Sequence, residues 1–399
     1  MRILFVNTYY YPNMFGGAEK SVRLLASTFS KKYSCCVFSA DASVKGLQKE
    51  FVDNVIVYRS GSFFFDFKAR FTKTESRLCK IKNRIADLYN PAVSSHFKKV
   101  LNEFKPDIIH TNGLRGIGPC IWKIAQKRGI KVVHTLRDYY AADPLMREHP
   151  PVNPILTMWQ NYWNKESKNI NAVTAPSSFV IKRMSGFGFG RNSVLRPVSN
   201  GITFNKTSFL QNINRFSQKN STRTRFLFAG TLVDFKGVLK LLESFKECQK
   251  KRNDIEIVFC GAGPLAELIQ AEAEQNQSII YRGKLDVDPM SKEYLNADVC
   301  VIPSLWEEPF GLVVIEAAYH GCALIASNKG GIPEIIEKLG AGILCDCSDV
   351  QQLTQKMLFL CNESERRKQR EIFVDSVEKY SIENSINQYD NLYIELLNG

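Results

Sequence analysis

The chain has 399 residues, 23% of them charged, with 53 Lys and Arg against 40 Asp and Glu and a formal net charge of +13. That length is long for one hydrophobic core and suits two domains, and no stretch approaches the roughly 20 consecutive apolar residues of a membrane span. Eleven cysteines without a C-x-x-C pair or a Cys/His cluster exclude a disulfide or zinc framework and imply reduced thiols in the cytosol.

Charge is uneven along the chain. Residues 1–200 hold 31 basic against 13 acidic side chains, an excess of 18, whereas residues 201–399 hold 22 against 27. Such asymmetry points to an acidic partner for the first half, whether nucleic acid, an anionic membrane or a charged substrate. No nucleic-acid recognition motif accompanies it, so nucleic acid is set aside.

The N-terminal run Ile3–Asn7 is a short strand that lacks the longer apolar core of a signal peptide. FGGAE (Phe15–Glu19) follows, opening a helix over Ala18–Ser30; Gly16 and Gly17 permit close approach of a ligand to the helix amides. Strands are expected over Cys35–Ala40, Val55–Ser60, Asp107–His110, Lys131–Thr135 and Val173–Ala175, and Ile117–Arg128 carries helical spacing. Between them, Asp66–Tyr89 follows Phe63–Phe65 and holds seven basic residues against three acidic ones. Its stripe Leu78, Ile81, Ile85 and Leu88 is expected to pack on its own domain, with an anionic membrane as the other reading. VVHTLRDYY (Val132–Tyr140) runs off the end of a strand; His134 inside it reads as a core histidine, and His110 is a comparable case at another strand end.

Polar Asn205–Thr224 reads as a linker and entry loop before the alternation restarts. Arg225–Ala229, Ile255–Cys260, Ile279–Tyr281, Val299–Ile302 and Ala323–Ala326 are the strands of a second α/β sheet. FAGTLVDFKG (Phe228–Gly237) follows the first of these. IVFCGAGP (Ile257–Pro264) lacks a third glycine and a following acidic residue, which excludes a dinucleotide fingerprint. SLWEEPFGLVVIE (Ser304–Glu316) sets Glu308 and Glu316 eight residues apart, and GGIPE begins fourteen residues further on, at Gly330. Pro309 suits a first helical turn and Gly321 ends the helix, so its free amides are a place for phosphate. A helical stripe from Ile382 through Ile386, Tyr389, Leu392, Leu396 and Leu397 closes the chain.

The E-x7-E spacing with its inner PFG and the later GGIPE resembles the signature of retaining nucleotide-sugar glycosyltransferases of the GT-B fold, family four (glycosyl transferases group 1). The resemblance spans nearly the whole chain. It implies two Rossmann-like domains facing across a cleft: 1–204 for the acceptor, 205–380 for the nucleotide sugar, and 381–399 as a helix returning to the N-terminal domain. It implies that Glu308 contacts the donor sugar and Glu316 the ribose. Lys236 and the amides of Phe310, Gly311 and Leu312 would hold the diphosphate, Gly16 and Gly17 would meet donor phosphate and acceptor, and Arg282 would lie near the base. The resemblance implies no metal or other cofactor, and a mechanism in which the departing phosphate itself takes the acceptor proton.

Two positions depart from the family's pattern. Arg137-Asp138 stands where a His-Asp pair is usual, and Thr231 stands where an arginine is usual. Arg137, facing across the cleft, is a candidate to offset the missing cation at Thr231. The function implied is transfer of a hexose to a lipid-linked or polysaccharide acceptor, in lipopolysaccharide, capsule or exopolysaccharide assembly, by a cytoplasmic protein peripheral on the inner face of the membrane. The alternatives are a nucleotide-sugar epimerase or hydrolase of the same fold, and a non-catalytic homologue that binds glycan or lipid.

Overall fold

The computed structural model describes residues 1–14, 16–41, 43–61, 77–145, 153–217 and 223–399. The chain forms two compact units, one of Met1–Gly201 with Ile382–Gly399 and one of Ile202–Ser381. The Phe63–Phe65 cluster and the basic residues up to position 76 lie outside the described residues.

Among its described residues the first unit is built on eight strands: β1 (Arg2–Val6), β2 (Ser34–Ala40), β3 (Leu47–Val52), β4 (Val55–Ser60), β5 (Ile108–Thr111), β6 (Lys131–Thr135), β7 (Ala172–Ala175) and β8 (Val194–Pro197). They lie in the order β3-β4-β2-β1-β5-β6-β7-β8. All neighbours are parallel except β3, which runs antiparallel to β4. A central parallel strand covered on both faces should be apolar throughout, and Ile3–Val6 is fully buried. Strand order reverses between β1 and β5, and crevices at such reversals, beyond the carboxyl ends of the strands, are where ligands bind.

The closing helix Ile382–Asn398 belongs to this unit. Its Ile382, Tyr389, Leu392 and Tyr393 share a core with Val22, Leu25 and Phe29 of the first helix, Gly17–Phe29. Two ion pairs tie down its rim, Lys32 to Asp390 at 2.7 Å and Arg196 to Glu395 at 2.9 Å. Tyr393, absent from the expected stripe, is fully buried, and the expected Leu397 is 42% exposed.

Among the described residues the second unit has six strands, all parallel: β9 (Thr224–Ala229), β10 (Ile255–Cys260), β11 (Ile279–Gly283), β12 (Val299–Ile302), β13 (Ala323–Ser327) and β14 (Ile343–Cys345). Their order, β11-β10-β9-β12-β13-β14, reverses between β9 and β12.

Two sequence expectations need correction. The supposed linker contains the helix Lys206–Ser217, whose Phe209 is buried and stacks on Tyr319 at 5.9 Å. Phe209, Ile213 and Phe216 recur at helical spacing and pack on this unit, a signal hidden by the polar residues between them. The helix Arg77–Leu88 is the second case. Its inward face is polar or small, with Asn83, Ala86 and Asp87 buried, while Ile81 and Ile85 are each 57% exposed. Asp87 draws that face inward by accepting from Gly116 N at 2.7 Å and from the Tyr140 hydroxyl. The apolar stripe therefore turns outward at these two positions.

Candidate functional site

In the second unit, loops from both sides of the strand reversal carry the motif residues. After β9 the chain passes Gly230 and the exposed Thr231 into a short turn of 3-10 helix, Asp234–Lys236. After β12 it runs through Ser304–Glu308 to the helix Leu312–Tyr319. The Lys236 ammonium donates to Glu308 Oε1, so the cation expected at the diphosphate and the carboxylate expected at the sugar form one ion pair. The Glu308 side chain is only 12% exposed.

Glycines allow these loops to close on one another. At Gly237 (φ +73°) a Cβ would lie 1.9 Å from the carbonyl oxygen of Pro303. At Gly330 (φ +67°) it would lie 2.4 Å from the carbonyl oxygen of Glu308, and Gly331 N donates to that same oxygen at 2.7 Å. The GGIPE loop thus grips the backbone of Glu308 itself, which explains why the two motifs occur together. Only glycine fits such contacts at a positive φ.

The helix that follows starts at Leu312, not at the proline. Gly311 is its N-cap with φ 115°, and Pro309 lies outside it. The Leu312 and Val313 amides fall in the first turn, where a helix has no carbonyl to offer them. They are suited to an anionic group. One turn further on, Glu316 Oε2 accepts from the Tyr294 hydroxyl at 3.0 Å. Burial pushes the Tyr294 hydroxyl well above its usual range, so it stays a donor at neutral pH. Tyr294 escaped the sequence reading because its bond to Glu316 spans a strand and two loops. Arg282 lies near the carboxyl end of the edge strand β11, two strands from β9, and is paired with Glu293 at 3.2 Å.

In the first unit, Gly16 caps the helix Gly17–Phe29, and its amide already donates to Glu19 Oε2 at 2.8 Å. That bond forms the helix's own capping arrangement. Arg137 and Asp138 follow β6 and point to different partners. Asp138 Oδ2 accepts from Arg115 at 3.0 Å and its Oδ1 from Tyr140 N at 2.9 Å. Arg137 Nε donates to Asn112 Oδ1 at 3.0 Å, and its Nη1 donates to Asn200 Oδ1. Asn112 and Asn200, absent from the sequence reading, follow β5 and β8; each precedes a glycine, and that placement was the available signal. Arg137 belongs to the first unit and Thr231 to the second.

The strand histidines are structural. His110 Nδ1 is 2.5 Å from the Tyr393 hydroxyl, and its Nε2 is 2.6 Å from Thr135 Oγ1. His134 Nδ1 is 2.9 Å from Thr111 Oγ1. Burial holds both well below the ordinary histidine pKa, His134 at about 3. Among the described residues no three His, Cys, Asp or Glu side chains converge as a metal site, and no helix is long and apolar enough to cross a membrane.

Residues 211–374 match the family profile "Glycosyl transferases group 1", and residues 15–206 match "Glycosyltransferase Family 4". An uncharacterized 42.6 kDa protein in the cps region of Klebsiella pneumoniae is 29% identical over 346 residues, covering 84% of this chain and 87% of that protein. Among solved structures, sucrose-phosphate synthase of Thermosynechococcus elongatus superposes with a TM-score of 0.74 at 18% identity, over 99% of this chain and 98% of that one. Anabaena HepE in complex with UDP gives 0.72 at 15% identity, over 99% of this chain and all of the other. The fold is GT-B, as the sequence implied.

Proposed function

We propose that this chain, which belongs to the group 1 glycosyltransferases, moves a hexose with retention from a nucleotide diphosphate sugar to a lipid-linked or polysaccharide acceptor in cell-surface glycan assembly. The observation that carries the reading is the ion pair of Lys236 with Glu308 at the strand reversal of the second sheet, beside a helix N-terminus. A nucleotide diphosphate is a leaving group whose charge grows as the glycosidic bond breaks. Preorganised donors aimed at that charge are worth about 3 kcal/mol of barrier each. Lys236 and the Leu312 and Val313 amides are such donors, and they meet the charge without a metal ion. When the diphosphate takes the ammonium, Glu308 is released to accept hydrogen bonds from the sugar hydroxyls. Glu316, oriented by Tyr294, suits the two hydroxyls of a ribose.

The UDP-bound structure of HepE supports a nucleotide-linked donor, and the cps-region relative supports a surface-glycan acceptor. Incubating the purified protein with UDP-, GDP- and ADP-sugars, and following nucleotide release and product anomer by NMR, tests the reading. Release from one donor class with the anomeric configuration kept is expected. Inversion, or no release from any donor, defeats it.

The acceptor reading extends to the membrane. The first 200 residues carry their excess of 18 positive charges together with the outward Ile81 and Ile85, and Ile155 and Met158 are exposed on the helix Pro154–Ser167. Tyr162 of that helix donates to the Leu88 carbonyl at 2.9 Å, so the two helices adjoin. Apolar side chains beside basic ones suit the surface of an anionic bilayer, on the inner face where lipid-linked acceptors are reached. Co-sedimentation with anionic but not neutral vesicles, reduced in Ile81→Glu/Ile85→Glu, is the expected outcome. Equal binding to both vesicle types removes the proposal.

A further inference from the structure

The Arg137 guanidinium lies just past the carboxyl end of β6, and among the described residues no carboxylate is bonded to it. Two amide oxygens, from Asn112 and Asn200, take Nε–H and Nη1–H, while Nη2 is buried without a partner. The neighbouring carboxylate, Asp138, is bonded to Arg115 and a backbone amide. Glu19, whose charge also acts on Arg137, has its Oε2 on Gly16 N. Asn112 is 2% exposed. Because its Oδ1 accepts from Arg137, its Nδ2 must be a donor, and that donor too is buried and unpartnered.

Interiors rarely leave donors so. A buried polar group without a partner costs about 1–3 kcal/mol, and a charged one more. Burial lowers the pKa of Arg137, yet a guanidinium does not give up its proton in a protein. Among the described residues no carboxylate bonds it, so the charge calls for an anion from outside them. Water would satisfy a hydrogen bond but leave the charge. An oxyanion satisfies both, since a guanidinium edge and an adjacent amide N–H present donors to two oxygens of one group.

We propose that Arg137 and Asn112 form an oxyanion site that takes a carboxylate or phosphate group carried by a substrate. Its place, at the ends of β5 and β6 beside the reversal of the first sheet, is where such sheets bind ligands. The proposal rests on the transferase reading only for the source of the anion, which is either the donor sugar or the acceptor.

The test reads binding rather than turnover. The Arg137 side-chain N–H resonances, identified by their loss in Arg137→Gln, are followed in the full chain at constant ionic strength. The titrants are inorganic phosphate, glucuronate and, as the neutral control, glucose. A saturable shift with phosphate or glucuronate and none with glucose is expected, with calorimetric affinity at least tenfold weaker in Arg137→Gln. Tighter binding of UDP-glucuronate than of UDP-glucose assigns the anion to the donor, and equal binding of the two assigns it to the acceptor. Asn112→Asp supplies the missing carboxylate from within, so it should raise Tm and abolish the anion response. No saturable response to either anion, or an Asn112→Asp variant that binds as the parent does, overturns the site. Anion binding at Arg137 in a protein that transfers no sugar would instead refute the transferase reading alone.

Discussion

At the reversal of the second sheet a lysine faces a glutamate; near the reversal of the first, an arginine faces two asparagines. Lys236 and Glu308 neutralise each other, and under the proposed function the donor would re-partner both groups at little cost in lost neutrality. Among the described residues Arg137 is bonded to amide dipoles alone, and the proposed oxyanion would meet its charge. The two units are therefore expected to respond differently to the same kind of substitution. In the second unit, removing one partner strands the other; in the first, adding a carboxylate completes the site.

Glu308→Ala should break the comparison most severely. Transfer is expected to fall by at least about 10²–10³-fold, the scale of losing a preorganised transition-state contact, with the fold retained in circular dichroism and thermal melts. Wild-type turnover in that variant would remove Glu308 from the site. Lys236→Ala follows, with an expected loss of about 10²-fold in kcat for the same reason. If its KM alone rises, the lysine binds the donor without favouring the transition state.

A smaller effect is expected one turn along the helix. Tyr294→Phe removes a single hydrogen bond to Glu316, worth about 1.5–3 kcal/mol when the acceptor is charged. Donor affinity should fall about tenfold with kcat little changed, and unaltered affinity by calorimetry would separate Glu316 from the nucleotide. The smallest effect concerns the first sheet. His110 and His134 are buried in neutral form, with folded pKa values lowered from the usual 6.5. The folded protein then binds fewer protons than the unfolded chain. Their contribution is complete above about pH 6.5 and is lost as pH falls below it, by on the order of 1 kcal/mol per pH unit for each histidine. Urea denaturation from pH 7 to pH 5 should show this decline, and a shallower slope in His134→Gln would assign part of it.

Much of the fold was legible because buried parallel strands are apolar on both faces. β1, β2, β5, β6 and β9 read directly from their runs, whereas β3 did not. Its sequence LQKEFV is an exposed edge strand, where nothing requires an apolar run. The outward turn of Ile81 and Ile85 was hidden too, because periodicity shows that a helix has an apolar face but not which face the neighbours cover. Here Asp87, bonded to Gly116 and Tyr140, draws the polar face inward.

The sequence by itself determined what is local: the strand and helix rhythm of two α/β sheets, the eight-residue spacing of Glu308 and Glu316, and the glycines that let a loop close on Glu308. The tertiary structure alone decided which distant groups meet. Lys236 reaches Glu308 across 72 residues because β9 and β12 are neighbours in the sheet. Arg137 meets Asn112 and Asn200 because the ends of β5, β6 and β8 lie along one edge of the other sheet. Backbone preferences repeat over a few residues and leave a pattern in the chain. Strand order brings separated segments together through packing, and no short stretch of sequence carries that information.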